Sequence, residues 1–383
     1  MDFKLEQKVK VSVTHELSTT ILEILKEKEY KKPMIATGTF QLEMPMVKAL
    51  LKTLEENKIE VCIYDKVVSD PSTDLVNTGA SLFVENGCDS IIGIGGGSAI
   101  DTARGINIVR TLGGKIEDYV IEKEVPIFCD GLIAVPTTSG TGSELSNAAV
   151  VTDIHTHEKL AVLSDNAVSE YAVLCPELTV TMPKGLTIST GLDAFAHAME
   201  GYTSNLSSPI TDAICEKVMY LIVKYLPNAV KNGEDLEARE RMMVAAALAG
   251  WMLNNAGTHV GHSLAHVIGP EYKIPHGAAC AYALPGTMLY TASVKAKKIK
   301  EIGYILGAKF PENATDSEIG KITSEKFKWF RDEVLGMESF SKLNITKEEL
   351  LSNAKKVSEE RFAGNSPMPI TEELAEKLLK EIG

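Results

Sequence analysis

The texture of this chain changes at Pro183, and that change constrains the fold more than any other feature. Before it, short β-branched runs alternate with helical stretches. PMIAT reads as a strand and Met44 to Asn57 as a helix. EVCIYD is a second strand and Asp74 to Asn86 a second helix. SIIGIG leads through GGGS into a helix from Ala99 to Arg110, and LIAVP follows as a fourth strand. Such a βαβαβ rhythm implies a parallel sheet covered by helices on both faces. AVVTD and KLAVLSD, around a turn-like HTHE, read as a hairpin appended to that sheet, and YAVLCP as another strand. After Pro183 the strand signals stop. Ile210 to Asn232, Leu236 to Asn255, Thr258 to Ile268, Ala278 to Tyr290 and Asp316 to Val334 carry helical periodicity, which suggests an all-α bundle. The expected fold is an α/β N-terminal dinucleotide-binding domain with a Rossmann-like parallel sheet, residues 1–184, and an all-α C-terminal metal-binding domain, residues 185–383. Ligands favour domain interfaces and the carboxyl ends of parallel strands, so the cleft between the halves is the expected site.

The second half holds an unusual set of side chains. Asp193 and His197 are four apart, as are His262 and His266, and His276 follows in the turn-like IPHG. Positions four apart share a helix face, so each pair can offer two ligating atoms to one point. Five of the eight histidines fall between His197 and His276. This is an inventory for a divalent ion held by imidazole and carboxylate. Each residue also has an ordinary reading. Asp193 reads as a first-turn acid under a Thr190 or Ser189 cap, and His197 as a hydrogen-bonded core histidine. His259, His262 and His266 cannot all face one way, and spacing leaves open which is spare. No HExxH is present, which disfavours a zincin-type hydrolase.

Two loops in the first half point to phosphate. In GIGGGSAID, Gly95, Gly96 and Gly97 let a ligand approach the backbone, and Ser98 is a candidate cap at a helix N-terminus that suits a pyrophosphate. The spacing is not a clean GxGxxG. In PTTSGTGSE, Thr137, Thr138, Ser139, Thr141 and Ser143 place five hydroxyls within seven residues, again directly after a strand. A tight strand-to-helix turn and an ordinary Ser/Thr turn are the bland alternatives.

The net charge of −13 leaves no basic surplus for nucleic acid. No run approaches the ~18 apolar residues of a membrane span. The six cysteines show no CxxC spacing, and MDFKLEQKVKV lacks a signal-peptide core, so a cytoplasmic protein with reduced thiols is expected.

Together, GIGGGSAIDTARG, PTTSGTGSE, GLDAFAHAMEGYTS, GHSLAHVIGPEYKIPHG and GNSPMPITEEL resemble the iron-containing, or group III, alcohol dehydrogenases over nearly the whole length. The resemblance implies metal ligands at Asp193, His197, His262 and His276, with His266 near the nicotinamide. It puts the cofactor pyrophosphate on Gly96, Gly97 and Ser98, and Asp101, Thr137, Thr138, Thr141, Ser143 and Lys159 around the rest of the cofactor. Iron(II) is the family expectation, although three imidazoles and a carboxylate also suit zinc. A homodimer or higher homo-oligomer is implied.

Two departures matter. NAD-using members of the family often end the first strand with Thr-Asp, the acid facing the adenosine ribose; here the strand ends Ala36-Thr37-Gly38. An aspartate beside a 2′-phosphate would repel it by up to about 4 kcal/mol at roughly 4 Å with an effective dielectric near 20. Gly38 removes that repulsion and Thr39 offers a hydroxyl, so NADP(H) is favoured over NAD(H). Thr258 and His259 replace smaller or apolar residues and are expected to face a polar or acidic aldehyde.

The expected reaction is reversible hydride transfer between nicotinamide and a short primary alcohol or aldehyde, with His266 relaying the proton. The runner-up on this fold is a zinc-dependent glycerol-type dehydrogenase or a dehydroquinate-synthase-like lyase. Either asks for a Lys, Arg and Asn-rich pocket, yet Lys273 is the only Lys or Arg between Gly250 and Pro285. A non-catalytic nucleotide-binding sensor is the reading of another class. The complete ligand set and both loops argue against it.

Overall fold

The computed structural model describes residues 3, 5–120, 125–156 and 159–383. It divides into two compact units, 5–181 and 182–383.

The first unit is built on eight strands: β1 (Lys10–Val13), β2 (Pro33–Thr37), β3 (Cys62–Tyr64), β4 (Ser90–Gly95), β5 (Leu132–Pro136), β6 (Ala148–Thr152), β7 (Lys159–Leu163) and β8 (Tyr171–Leu174). Six form a parallel sheet in the order β1-β8-β5-β4-β2-β3. Every residue of β2, β4, β5 and β8 is buried. That explains their unbroken apolar sequences, because a parallel strand covered on both faces has no solvent side for polar residues. The covering helices are α1 (Leu17–Glu27), the single turn α2 (Thr39–Leu42), α3 (Pro45–Glu56), α4 (Thr73–Glu85) and α5 (Gly97–Leu112). Gly95 of β4 is the register partner of Pro136 of β5, so the glycine loop and the hydroxyl loop leave the sheet side by side.

The hairpin differs from its expected place. β6 and β7 form their own antiparallel two-stranded sheet, outside the six-stranded one, with an isolated bridge between Thr152 and Ser72 and packing of β6 against α5. His157 and Glu158 of the expected HTHE turn lie outside the described residues. Asp101 explains why the hairpin packs there: its Oδ2 accepts from Val150 N–H at 3.2 Å.

The second unit holds α6 (Lys184–Thr203), α7 (Pro209–Lys231), α8 (Leu236–Ala256), α9 (Val260–Tyr272), α10 (His276–Ile305, kinked at Lys295) and α11 (Asp316–Trp329), followed by short helical turns. α6 is buried from Gly191 to Thr203 and packs against α7, α8 and α10. Two boundaries depart from expectation. α6 begins at Lys184 behind Pro183, so Ser189 and Thr190 are interior; Thr190 Oγ1 donates back to Leu186 O. Asp193 is therefore no first-turn acid but a buried residue in mid-helix. His276 opens α10 after Pro275 rather than sitting in a turn, since proline is well suited to the edge of a helix start but not to its interior. No helix among the described residues is long and apolar enough to cross a membrane.

Candidate metal centre and nucleotide loops

Three helices of the second unit each bring a pair of side chains four residues apart. α6 carries Asp193 and His197, α9 carries His262 and His266, and α10 carries His276 and Cys280. Asp193 Oδ1 is the focus. His276 Nε2 lies 3.5 Å from it, His197 Nε2 3.8 Å and His262 Nε2 4.0 Å. The rings of His197 and His262 stack at 4.8 Å, and those of His262 and His276 meet edge-on at 5.5 Å. Gly277 permits this approach of α10 to α6: a Cβ there would stand 2.2 Å from Ser189 O and 3.0 Å from Asp193 Cβ.

The electrostatics are those of a site built for a cation. Asp193, His197 and His262 are almost wholly buried, and Asp193 Oδ1 has no hydrogen-bond partner. A buried, unpartnered carboxylate oxygen costs several kcal/mol unless something positive compensates it. Burial raises the Asp193 carboxyl above its ordinary range, against the pull of His197. Burial likewise pushes the His197 imidazole down to about 3 and that of His262 well below its usual value. Both rings stay neutral and keep a lone pair for a ligand.

A second layer stands behind these donors. Glu200, two turns after Asp193 on α6, is completely buried. Its carboxylate accepts a very short bond from His262 Nδ1 and bonds from the His262 backbone N–H at 3.1 and 3.2 Å. The backbone N–H groups of Gly261 and His259 also donate to it, so it caps the amino end of α9. With Nδ1–H held by Glu200, the Nε2 lone pair of His262 points at the Asp193 cluster, the usual arrangement of a metal-binding imidazole. His259 has no exposed surface; its Nε2 pairs with Thr203 Oγ1 at 2.8 Å and its Nδ1 lies 3.5 Å from Glu200. It thus belongs to this buried layer rather than to a substrate-facing wall. Thr258 is also buried, its carbonyl accepting from Asn365. His266 stands apart from the donors. It stacks on His276 at 5.4 Å, is one-third exposed, and its Nδ1 lies 3.1 Å from Glu360 Oε1. Burial raises the Glu360 carboxyl, and His266, with hydrogen bonds from Ser263 and the Phe362 backbone, offsets that and leaves it below its usual value.

Sequence reading did not single out Glu200, Cys280 or Glu360. Glu200 shares the helix face of Asp193 and His197, and Cys280 follows His276 by four, so periodicity held a signal for both. Glu360 arrives from a distant segment and had none.

In the first unit the two loops are in contact. A Cβ on Gly97 would lie 2.9 Å from Thr141 Oγ1 and 3.1 Å from Ser143 Oγ. Gly96 faces Thr138, and Thr137 N–H donates to Gly95 O at 2.8 Å. The free N–H groups of a sixteen-residue helix, α5, open beside these hydroxyls. Asp101 binds Val150 and lies 3.6 Å from buried Arg104, and Lys159 pairs with Asp70 at 2.7 Å. Asp101 also bonds Ser143 of the hydroxyl loop. Gly38 and exposed Thr39 stand at the start of α2, and Gly38 forms an isolated bridge with Lys66.

The model of the iron-containing alcohol dehydrogenase family matches residues 10–176, and that of the C-terminal part of the Fe-containing alcohol dehydrogenase family matches 187–383. NAD-dependent methanol dehydrogenase of Bacillus methanolicus is 38% identical over 285 residues, 74% of each chain. Alcohol dehydrogenase 4 of Schizosaccharomyces pombe is 39% identical over 262 residues, 68% of this chain and 62% of that one. The solved alcohol dehydrogenase from Oenococcus oeni superposes with a TM-score of 0.91 at 31% identity, covering 100% of both chains.

Proposed function

The chain belongs to the iron-containing alcohol dehydrogenase family and is a metal-dependent, nicotinamide-linked oxidoreductase; on that premise we propose that Asp193, His197, His262 and His276 hold its ion. The observation that carries this is the convergence of three imidazoles on a buried carboxylate oxygen that has no hydrogen-bond partner. Iron(II) is the family's ion, and the donor set accepts zinc as well.

When bound, the ion polarises the substrate oxygen and the nicotinamide gives or takes the hydride. The protein's own groups do the rest. Glu200 fixes the tautomer and the direction of His262. Gly96, Gly97 and Ser98 seat the pyrophosphate at the α5 N-terminus, with Thr137, Thr138, Thr141 and Ser143 offering hydroxyls around it. His266, oriented by Glu360 and partly open to solvent, supplies a proton to the alkoxide in the direction of aldehyde reduction.

The proposed cofactor is NADP(H). Gly38 contributes no acid at the end of β2, and Lys66, its bridge partner, is paired with Asp65 at 2.9 Å. The substrate is a short primary alcohol or its aldehyde. We further assign a homodimer in the cytoplasm. The sheet edge at β1 is open and carries half-exposed Val11 and Val13, a surface that another strand can cover.

The test is oxidation of NADPH and NADH by the Fe(II)-loaded protein against short aldehydes. Faster NADPH oxidation that a chelator abolishes is expected. Equal or better kcat/KM with NADH removes the cofactor assignment. Silence with both in a protein shown to hold metal removes the aldehyde-reductase reading and favours the lyase or sensor.

A further inference from the structure

We propose that Cys280 is itself a ligand of the metal ion, through Sγ, so that the ion is held by carboxylate, imidazole and thiolate together. This rests on the metal site proposed above and extends it to a residue outside the histidine and carboxylate set.

The placement is direct. Cys280 lies one turn after His276 on α10, so the two side chains share a helix face. Its sulfur is 3.7 Å from His262 Nε2 and 3.7 Å from His276 Nε2. Among the described residues, one group brings its possible ligand atoms all within 4.8 Å of one another: Asp193, His262, His276 and Cys280. Donors sharing one small divalent ion lie about 2.0–2.3 Å from it, and so no more than roughly 4.6 Å from each other. The separations here are 3.5, 3.7, 3.7 and 4.0 Å. The second observation is Asp193 Oδ1, buried, unpartnered and part of the same group.

Ligation exchanges the S–H bond for a sulfur–metal bond and releases one proton to solvent. A thiolate among nitrogen and oxygen donors favours softer ions, so zinc and cobalt(II) gain over iron(II) relative to an all-nitrogen and oxygen site.

The test is spectroscopic and needs no turnover. Metal-free full-length protein is loaded with one equivalent of Co(II), and the near-ultraviolet region is searched for a sulfur-to-cobalt charge-transfer band. X-ray absorption of the zinc-loaded protein is searched for a sulfur shell at about 2.3 Å. Both signals are expected in the wild type, and both are lost in Cys280→Ser with cobalt still bound. Zinc affinity in chelator competition is expected to fall roughly 10–100-fold, the scale on which even outer contacts act. Stoichiometric cobalt or zinc without a sulfur signal in the wild type overturns the proposal and leaves the Asp/His site standing. A signal that persists in Cys280→Ser also overturns it. If the wild type binds neither ion, the underlying site falls, and this ligand with it. The sulfur shell is read on the wild type, so a poorly folded variant does not remove the test.

Discussion

Glu200→Gln isolates the layer behind the metal centre. Glutamine keeps the volume of Glu200 but replaces one carboxylate oxygen by an N–H donor. The Glu200 carboxylate accepts from His262 Nδ1 and from the backbone N–H groups of His262, Gly261 and His259. One amide oxygen cannot serve both ends of that set. In the metal-free variant the conflict relaxes, because His262 can switch tautomer and accept from the new amide at Nδ1. Metal binding forces the proton back to Nδ1 so that Nε2 is free, and a donor then faces a donor. A lost hydrogen bond to a charged group in a buried site is worth about 1.5–3 kcal/mol. The expected fall in metal affinity is therefore roughly 10- to 150-fold, at 1.4 kcal/mol per factor of ten. Chelator competition reads the affinity, and thermal melts with and without metal read the stability. The metal-free Tm should barely change, since the variant removes a carboxylate that burial already holds above its ordinary pKa. Wild-type affinity in the variant refutes the argument. An equal loss of Tm in both states assigns Glu200 to capping α9 and not to steering His262.

His266→Ala, with metal retained, is expected to lower turnover by about 10²-fold or more, the lower end of what a positioned acid contributes; unchanged turnover across pH removes the relay. Gly38→Asp is compatible with the backbone, at φ −90° and ψ 162°, and its Cβ meets the flexible end of Gln41 at 2.8 Å and Val67 O at an ordinary 3.4 Å. It should shift the kcat/KM ratio from NADPH toward NADH by at least roughly tenfold, within the repulsion available to an acid near a phosphate; an unmoved ratio places the ribose elsewhere. Burial lifts the Glu144 carboxyl from 4.5 to about 7, against Arg104. The folded state therefore binds more protons than the unfolded one between those values, and stability falls as pH rises through that window, by about 3 kcal/mol at 1.36 kcal/mol per unit. Glu144→Gln should flatten the wild-type loss of stability between pH 5 and pH 8; identical slopes in denaturant titrations refute it.

The central strands were legible because burial on both faces leaves a sequence no choice but apolar residues, as in SIIGIG and LIAVP. β1 was not. It is a four-residue edge strand of mostly exposed residues, KVSV, whose place is set by pairing with β8, a partner some 160 residues away. Helix α1 follows it with an amphipathic LSTTILEILKE that periodicity could have found. The hairpin was legible as a hairpin, but it stands as its own sheet, bonded to Asp101, Arg104 and Pro71 from distant segments, and local pattern does not encode those partners.

The same division runs through the metal centre. Spacing of four found the pairs Asp193–His197 and His262–His266 because a helix turns by 3.6 residues whatever surrounds it. It left open which member of each pair faces inward, because that depends on the rotation of one helix against another. Gly277 sets that rotation for α10, where only a missing Cβ lets the helix lie against Ser189 and Asp193. The consequence differs from pair to pair. His197 comes within 3.8 Å of Asp193, His266 turns away to Glu360, and Cys280 closes on two imidazoles. Cys280 is hidden for one further reason: IPHG reads as a turn, which conceals the helix on which His276 and Cys280 are four apart. Pro275 ends the turn instead, and the helix that starts after it carries the thiol into the donor group.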